Sequence, residues 1–398
     1  MQSLCHNKHK LENDVFLPQK LQKLDQTWLD LLFFALNTQE VLSSVNVKFI
    51  RNLKLSHSKF RSIGNKTNKW AILDRDQSIK AYKSEFINNN RTFIDQIHTF
   101  DLSDTNVKDI SMLGNVHTLY LVFTEVVDVS ALRGVHNLNL QGTNVEDASA
   151  LGNVHTLNLS YTNVTDVSML THVHTLNLGF TGVKDVSGLW NVYNLELSDT
   201  YVEDVSMLGN VHKLIVRNTH VEDISMLGNV HTLDLSYTEV NDVSMLANVY
   251  NLDLTRTKVK DVSALTNVHT LDLSYTHVTD VSALTNVHTL DLSFTKVRDV
   301  SALTNVHTLD LRNTHVEDVS MLANVYDLDL CDTKVKDVSM LANVHTLDLS
   351  FTEVRDVSML VNVHTLRLYS TDVEDVSMLD GVHTIYSDDP RLRNGSIA

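Results

Sequence analysis

The sequence predicts an α/β solenoid, in which one curved parallel sheet carries short turns or 3₁₀ segments on its convex side and a small helical module precedes it. Residues 96–386 repeat a 19-residue phrase fifteen times in full and once truncated, whereas the first 95 residues lack the phrase. Each unit has six apolar positions, more than one isolated coil can bury. Neighbouring coils are therefore expected to stack and share one continuous core.

The unit is read from residues 286–304, NVHTLDLSFTKVRDVSALT, and positions are counted within it from 1 to 19. Apolar residues stand at positions 2, 5, 7, 12, 15 and 18. Positions 5 and 7 alternate with polar positions 4, 6 and 8, which predicts a strand of about three to five residues with one buried face. Asp stands at position 14 in all fifteen full units, where it or the following Ser is expected to cap a single helical or 3₁₀ turn.

The pattern V-x-x-L-x-L-x-x-T-x-V, as in residues 230–240, resembles the leucine-rich repeat, and the V-x-D-V-S-x-L tail resembles its short bacterial and protist-type subclass. This resemblance covers residues 96–386 and implies non-catalytic protein recognition on a concave surface. One departure concerns the turn after the strand, where the family usually has Asn and all fifteen full units have Thr, from Thr105 to Thr371. A Thr hydroxyl cannot supply both an amide donor and a carbonyl acceptor, so a tighter turn is expected.

The first 95 residues differ from the repeats in charge as well as in pattern. They carry 15 Lys+Arg and 9 Asp+Glu, a net charge of +6, so the rest of the chain carries −23 of the total −17. Residues 24–36 are apolar nearly all round, which is typical of a helix packed against several neighbours, and two short amphipathic helices are expected over residues 39–47 and 49–55.

Residues 24–55 resemble the F-box, although Asp25 stands where that family has Pro and Ile50 where it has Trp. The resemblance implies docking on a Skp-type adaptor of a cullin-based ubiquitin ligase, with the repeats as substrate receptor. The docking residues would be Leu32, Phe33, Leu36, Val41 and Leu42. The alternative is a plain leucine-rich-repeat scaffold, such as a regulatory or host-interaction protein, in which the first 95 residues only cap the exposed end of the core. Residues 387–398 are read as a polar tail.

Composition and motifs narrow the class of function. The chain has 398 residues with only two cysteines, Cys5 and Cys331, no run of 18 apolar residues and no secretion signal at its start, which favours a cytoplasmic or otherwise intracellular protein without a membrane partner. No phosphate-binding, dinucleotide-binding or catalytic motif is found, so neither an enzyme nor a cofactor is expected. The charge of −23 disfavours nucleic acid on the repeats.

Position 6, on the outward side of the predicted strand, is Asp in seven successive units. Neighbouring carboxylates about 5 Å apart repel one another, which predicts a stripe that binds a basic peptide, a cationic ligand or divalent ions. The alternative is that recent duplication made the units alike and that Thr at position 4 and Ser at position 8 hydrogen-bond the carboxylates. The acidic stripe comprises Asp234, Asp253, Asp272, Asp291, Asp310, Asp329 and Asp348.

Three further columns run along the repeats. Position 9 is aromatic in seven units, and Tyr237, Tyr275, Phe294 and Phe351 lie beside the acidic stripe, where they would either anchor a partner or pack between neighbouring turns. Position 3 is His in thirteen units and Tyr in three, which favours a stacked ring column over a metal or pH-sensing site. His172 at position 1 lies near His174 and His155 of this column, which makes this the one spot considered for a metal, and no metal site is predicted there. Met or Ala at position 17 is read as core filler.

Overall fold

The computed structural model describes residues 71–72, 97–373 and 375–388, which form a parallel β-solenoid of about fifteen turns. In this part of the chain the sheet has seventeen strands, numbered in chain order. Strands β1 to β9 are Ala71–Ile72, Ile97–Asp101, Thr118–Tyr120, Asn137–Asn139, Thr156–Asn158, Thr175–Asn177, Asn194–Glu196, Lys213–Ile215 and Thr232–Asp234. Strands β10 to β17 are Asn251–Asp253, Thr270–Asp272, Thr289–Asp291, Thr308–Asp310, Asp327–Asp329, Thr346–Asp348, Thr365–Arg367 and Thr384–Tyr386.

Every repeat strand pairs in parallel with the strand one unit away, in a constant register of 19 residues. Leu252 lies opposite Leu271, and Asp253 lies opposite Asp272. The backbone ladder continues past the strand, since the Leu292 N–H donates to the carbonyl of Asp310 at 2.9 Å and the Phe294 N–H to that of Arg312 at 2.9 Å. Identical positions of successive units are therefore direct neighbours throughout the sheet.

The core is a single apolar column, and the six apolar positions of the unit all contribute to it, as the spacing predicts. In the second unit all six side chains are buried to 2% exposure or less, namely Val116, Leu119, Leu121, Val126, Val129 and Leu132. Because the same six positions recur in each unit, the buried side chains form one cluster along the solenoid. Stacking thus removes from water the apolar surface that a single coil exposes.

Short 3₁₀ segments form the side of the solenoid opposite the sheet, as the sequence predicts. The position-14 aspartate begins this turn: Oδ1 of Asp128 accepts the N–H of Ser130 at 2.9 Å, and Ser130 is the first residue of a 3₁₀ segment. The 3₁₀ segments are Ser130–Leu132, Ser149–Leu151, Ser187–Leu189, Ser206–Leu208, Ser320–Leu322, Ser339–Leu341 and Leu379–Gly381.

The threonine at position 10, where leucine-rich repeats usually have Asn, makes a hydrogen bond of its own to the strand. The hydroxyl of Thr295 donates to the carbonyl of Leu292 at 2.6 Å, and the side chain is 2% exposed. Thr276 makes the same bond to Leu273. The buried hydroxyl thus satisfies one strand carbonyl within its own unit, so no amide side chain is needed there.

The strand β1 precedes the first unit and pairs with β2, which adds a strand that the helical prediction for residues 1–95 did not include. The helices predicted at residues 24–55, with Leu32, Phe33, Leu36, Val41 and Leu42, lie outside the described residues. Within the described ranges, no helix combines the length and apolar character required to cross a membrane.

Candidate binding groove

The acidic stripe lies on the outward face of the sheet. In each of the strands β3 to β16 the central leucine points into the core, and the residues on either side face outward, as Leu271 between Thr270 and Asp272 illustrates. Strand register places the seven carboxylates side by side, so that Asp272 lies opposite Asp291 and Asp291 opposite Asp310. Sequence reasoning predicted this outward orientation from the two-residue period alone.

A groove of roughly 600 Å³ follows the stripe across the sheet. All seven stripe carboxylates line it, together with the position-4 side chains beside them and with Arg367 at its far end. The predicted aromatic residues do not line this groove. The structure therefore brings the predicted carboxylates together and leaves Tyr237, Tyr275, Phe294 and Phe351 along a separate edge.

One oxygen of every stripe carboxylate is already used by the backbone. Oδ1 of Asp234, Asp272 and Asp291 accepts the N–H of the residue two positions later at 2.8 Å. Asn158 and Asn177 make the same bond at 2.9 Å in units that lack the carboxylate. The charge at position 6 is therefore dispensable for the local hydrogen bond, because a neutral amide oxygen accepts it equally well.

Burial raises the pKa of several stripe carboxylates. It raises the pKa of Asp253 and Asp291, and their hydrogen bonds from Thr255 and Ser293 oppose the shift while the neighbouring aspartates add to it. The pKa of Asp329 rises to about 6, first through burial and then through the charges of Asp310 and Asp348. Burial is the first cause in each case, and in Asp329 it outweighs the opposing charge of Arg312.

Two arginines of the chain itself reach the stripe at its C-terminal end. The Nη2 atom of Arg312 lies 2.5 Å from Oδ2 of Asp310, and its Nε lies 3.4 Å from Oδ2 of Asp329. Arg367 approaches Asp348, with 4.0 Å between Nε and Oδ2. A guanidinium thus bridges two neighbouring stripe carboxylates, an arrangement that the sequence pattern did not predict.

The position-9 residues form a rim beside the groove, and their backbone is left-handed in all fifteen full units, with φ between 52° and 68°. In this rim the ring of Tyr275 stacks on Phe294 at 4.3 Å between centroids, and Arg256 lies over Tyr275 at 4.4 Å and over Tyr237 at 5.4 Å. Phe351 is 59% exposed. Tyr237, Tyr275 and Phe294 thus pack between neighbouring turns, and all four side chains remain at least 41% exposed, so that their role as anchors for a partner stays a prediction.

The position-3 rings stack continuously from His98 to His383, with 4.3 to 5.0 Å between successive centroids. Their Nδ1 atoms lie near the hydroxyl of the following position-4 threonine, at 3.2 Å for His231 and Thr232. Burial and the charges of neighbouring imidazoles lower the pKa of His155, His288 and His364. The geometry is that of a ring column.

Metal-ligating side chains converge at one place in the described part of the chain, where ligand atoms of Asp329, Cys331 and Asp348 all lie within 4.8 Å of one another. Sequence reasoning missed this group, although Cys331 between two position-6 aspartates could have indicated it. Burial raises the pKa of the Cys331 thiol to about 11, and Arg312 and Arg367 contact the two carboxylates. The histidines 155, 172 and 174 do not form such a group.

Apart from Met112, which packs against the core, the methionines at position 17 are exposed and are not core filler, contrary to the sequence interpretation. Met169, Met226 and Met245 are 57 to 60% exposed, whereas the adjacent Leu170, Leu227 and Leu246 are fully buried. On a turn this tight, only one of two consecutive side chains can face the core. The position-17 methionines therefore form part of the outer surface of the turns.

Comparison with known proteins identifies the architecture. No protein-family model and no curated protein matches this sequence. The functional domain of InlJ from Listeria monocytogenes matches with a TM-score of 0.61 and 20% identity, over 76% of this chain and 73% of that chain. A leucine-rich-repeat protein of Leptospira interrogans matches with a TM-score of 0.60 and 16% identity, over 83% of this chain and 98% of that one.

The fold is that of leucine-rich-repeat proteins. A third similar structure, the leucine-rich-repeat ectodomain of the Arabidopsis thaliana receptor kinase GASSHO1/SCHENGEN3, was solved in complex with CASPARIAN STRIP INTEGRITY FACTOR 2. It matches with a TM-score of 0.52 and 15% identity, over 75% of this chain and 44% of that chain. The likeness to all three is one of fold.

Proposed function

We propose that this chain is a non-catalytic recognition protein that holds a protein partner in the groove along its acidic stripe. The observation that carries the proposal is the line of seven in-register carboxylates that forms one wall of that groove. The ladders repeat one chemical group many times, whereas catalysis requires different groups that converge on one point. A long, regular and charged sheet face is instead suited to an extended contact.

Protein is favoured over nucleic acid as the partner because the repeats carry a charge of −23, which repels phosphates. A structure of the same fold, the GASSHO1/SCHENGEN3 ectodomain, was solved in complex with CASPARIAN STRIP INTEGRITY FACTOR 2. We place this recognition inside the cell, since a chain of 398 residues with two cysteines suits a reducing compartment.

Site-specific photo-crosslinking in an extract of the source cells tests the proposal. A crosslinking residue at Thr270 in the groove should form protein adducts of discrete mass, and one at Met245 on the turns should not. Equal adduct patterns from both positions, or none from Thr270, would contradict recognition by the groove.

We further propose, from the resemblance of residues 24–55 to the F-box, that the partner is presented to a cullin-type ubiquitin ligase. The full chain should then capture a purified Skp-type adaptor. Changing Leu32→Asp together with Phe33→Asp should abolish that capture, and Asp234→Asn in the groove should leave it intact. If the full chain fails to capture the adaptor, the ubiquitin-ligase proposal is wrong and the alternative applies, namely a scaffold whose first 95 residues cap the repeats.

A further inference from the structure

We propose that the occupant of the groove is an extended peptide segment with arginines at alternate positions, seated on four of the seven stripe carboxylates. This inference rests on the proposed function and specifies the chemistry of its partner. The four carboxylates, here called the window, are Asp234, Asp253, Asp272 and Asp291.

The window is set apart by the absence of positive charge among its outward residues. In units 8 to 11 positions 4, 6 and 8 hold Thr, Asn, Asp or Ser and no Lys or Arg, and the serines at position 8 are buried. The preceding unit carries Lys213 and Arg217 with Ile215 in place of the carboxylate, and the following unit carries Arg312. The sequence of the strands thus bounds an acidic surface four strands wide.

The guanidinium of Arg256, the one arginine of units 8 to 10, contacts the aromatic rings of the rim. It lies in the rim between the rings of Tyr237 and Tyr275, at 5.4 and 4.4 Å from their centroids. Burial together with neighbouring carboxylates raises the pKa of Asp253 and Asp291. The window therefore combines several half-buried carboxylates with a groove above them and little compensating charge, which calls for a cationic occupant.

The C-terminal end of the same stripe shows which cation fits. There the guanidinium of Arg312 spans Asp310 and Asp329, with contacts of 2.5 and 3.4 Å to their Oδ2 atoms. The equivalent oxygens of the window are available for the same contact, because each Oδ1 accepts a backbone N–H instead. A planar guanidinium reaches two carboxylates at once, which a lysine ammonium does less well.

The length of the window matches the span of three alternate side chains of an extended peptide laid along it. Four strands about 4.8 Å apart place the outermost carboxylates about 14 Å from each other. Three side chains on one face of an extended peptide, at alternate residues, also span about 14 Å. Three arginines at alternate positions, about 6.7 Å apart, therefore cover the length of the window, with the outer two over Asp234 and Asp291 and the central one between Asp253 and Asp272.

A linear polycation suits the window better than a single metal ion. The group of three metal-ligating side chains found among the described residues, Asp329, Cys331 and Asp348, lies outside it. Calcium requires about six to eight oxygen ligands, and each window carboxylate has already committed one oxygen to the backbone. The side chains of the window form a row and do not converge on one point.

Fluorescence anisotropy with the full chain and a labelled Arg-Ser-Arg-Ser-Arg-Ser peptide at low salt tests the proposal. The triple change Asp253→Asn, Asp272→Asn and Asp291→Asn should weaken binding at least about tenfold. These variants should fold, because Asn139, Asn158 and Asn177 occupy the same position in other units and accept the same N–H. A thermal melt of each variant verifies this.

The matched control removes the same charge from the turns, through Asp261→Asn, Asp280→Asn and Asp299→Asn, and should change affinity less than about twofold. Changing Arg312→Ser restores the residue that units 8, 10, 11 and 14 carry at this position, frees two more carboxylates and should tighten binding severalfold. Equal losses from the two triple variants would reduce the effect to net charge and overturn the proposal.

Two further probes decide the class of ligand. A Lys-Ser-Lys-Ser-Lys-Ser peptide that binds as tightly would refute guanidinium recognition. Full competition by spermine or calcium chloride at matched ionic strength would show that the occupant is a small cation and not a peptide. The triple change in the window could leave the affinity for the arginine peptide unchanged while a crosslinker at Thr270 still traps a protein. That result would show that the proposed chemistry of the partner is wrong and would leave the recognition function in place. Loss of the Thr270 adducts themselves would remove the proposed function.

Discussion

Two rows of aspartates run along this solenoid, and they have the same local geometry in opposite electrostatic environments. One is the acidic stripe on the sheet, and the other, here called the turn row, is the position-14 aspartates from Asp109 to Asp375. Oδ1 of Asp291 accepts the N–H of Ser293 at 2.8 Å, and Oδ1 of Asp280 accepts that of Ser282 at 2.9 Å. Burial raises the pKa of Asp291, whereas the hydrogen bond from Ser282 lowers the pKa of the exposed Asp280.

The difference shows that burial, and not the hydrogen bond or the residue type, decides the sign of the shift. A carboxylate in the turn row favours the folded chain when ionised, because only the folded chain supplies its hydrogen bond. A buried carboxylate in the stripe opposes folding when ionised, because folding removes it from water beside like charges. The fold alone thus explains the turn row, whereas the ionised stripe lowers the stability of the folded chain, and a cationic partner would offset this loss.

Removal of the turn row should have the largest effect on stability. Changing Asp261→Ala, Asp280→Ala and Asp299→Ala removes three turn acceptors and should lower the urea midpoint at pH 7. Because the folded-state pKa values of these groups are lowered, their contribution is present above the ordinary aspartate pKa and is lost as pH falls through the lowered value. The gap between wild type and variant should therefore close as the pH falls well below the ordinary aspartate pKa, and a gap independent of pH would contradict the assignment.

The matching change in the stripe should act in the opposite direction. Asp253→Asn, Asp272→Asn and Asp291→Asn keep the backbone acceptor and remove charge, so the urea midpoint should rise at pH 7. Where the folded pKa is raised, as for Asp253 and Asp291, ionisation costs stability as pH increases from the ordinary value through the raised one. The gain should vanish well below the ordinary aspartate pKa, where these carboxylates are protonated in both states; a loss at pH 7 would mean that they support the fold.

Changes in the ring column should have a smaller effect on stability. Their pH dependence has the same direction as that of the turn row and the opposite direction to that of the stripe. Since the folded pKa of His155 is lowered, the unfolded chain takes up its proton first, and stability falls as pH decreases from about 6.5 toward the folded value. His155→Tyr should retain the stack, as Tyr193 does between His174 and His212, and reduce the loss of stability between pH 7.5 and 5.5. Tyr250→His, which joins His231 to His269, should increase that loss; urea midpoints at the two pH values measure both.

The pattern of the unit was sufficient to predict the buried residues and the side of the sheet on which each aspartate lies. Because successive side chains of a strand point to opposite faces, Asp291 must face outward once Leu290 faces the core. The contacts of Arg312 with Asp310 and Asp329 could not be predicted, because a long side chain has many rotamers and its position depends on two neighbouring units. The exposure of Met245 was missed because a hydrophobicity pattern cannot tell which of two adjacent apolar residues faces outward on a tight turn.

The left-handed rim was missed as well, although the sequence carries its signal. Position 9 holds Phe, Tyr, Asp, Asn, Gly, Arg or Ser in the fifteen full units and never Val, Ile or Thr, which are abundant elsewhere in the unit. β-Branched side chains are the least tolerant of positive φ. This exclusion predicts the backbone conformation more directly than the aromatic content does.

The smallest predicted effect tests the backbone of the rim, which lies between the two rows of aspartates. Phe351 has a φ of 59° and its side chain is 59% exposed, so its replacement removes little buried contact. Phe351→Val should therefore destabilise the chain by about 1–2 kcal/mol through backbone strain. Phe351→Asn should be close to neutral, because Asn218 and Asn313 adopt the same conformation in other units. The difference in urea midpoint between the two variants isolates the strain, since both lose the same ring, and equal midpoints would show that side-chain packing rather than φ selects the residue at this position.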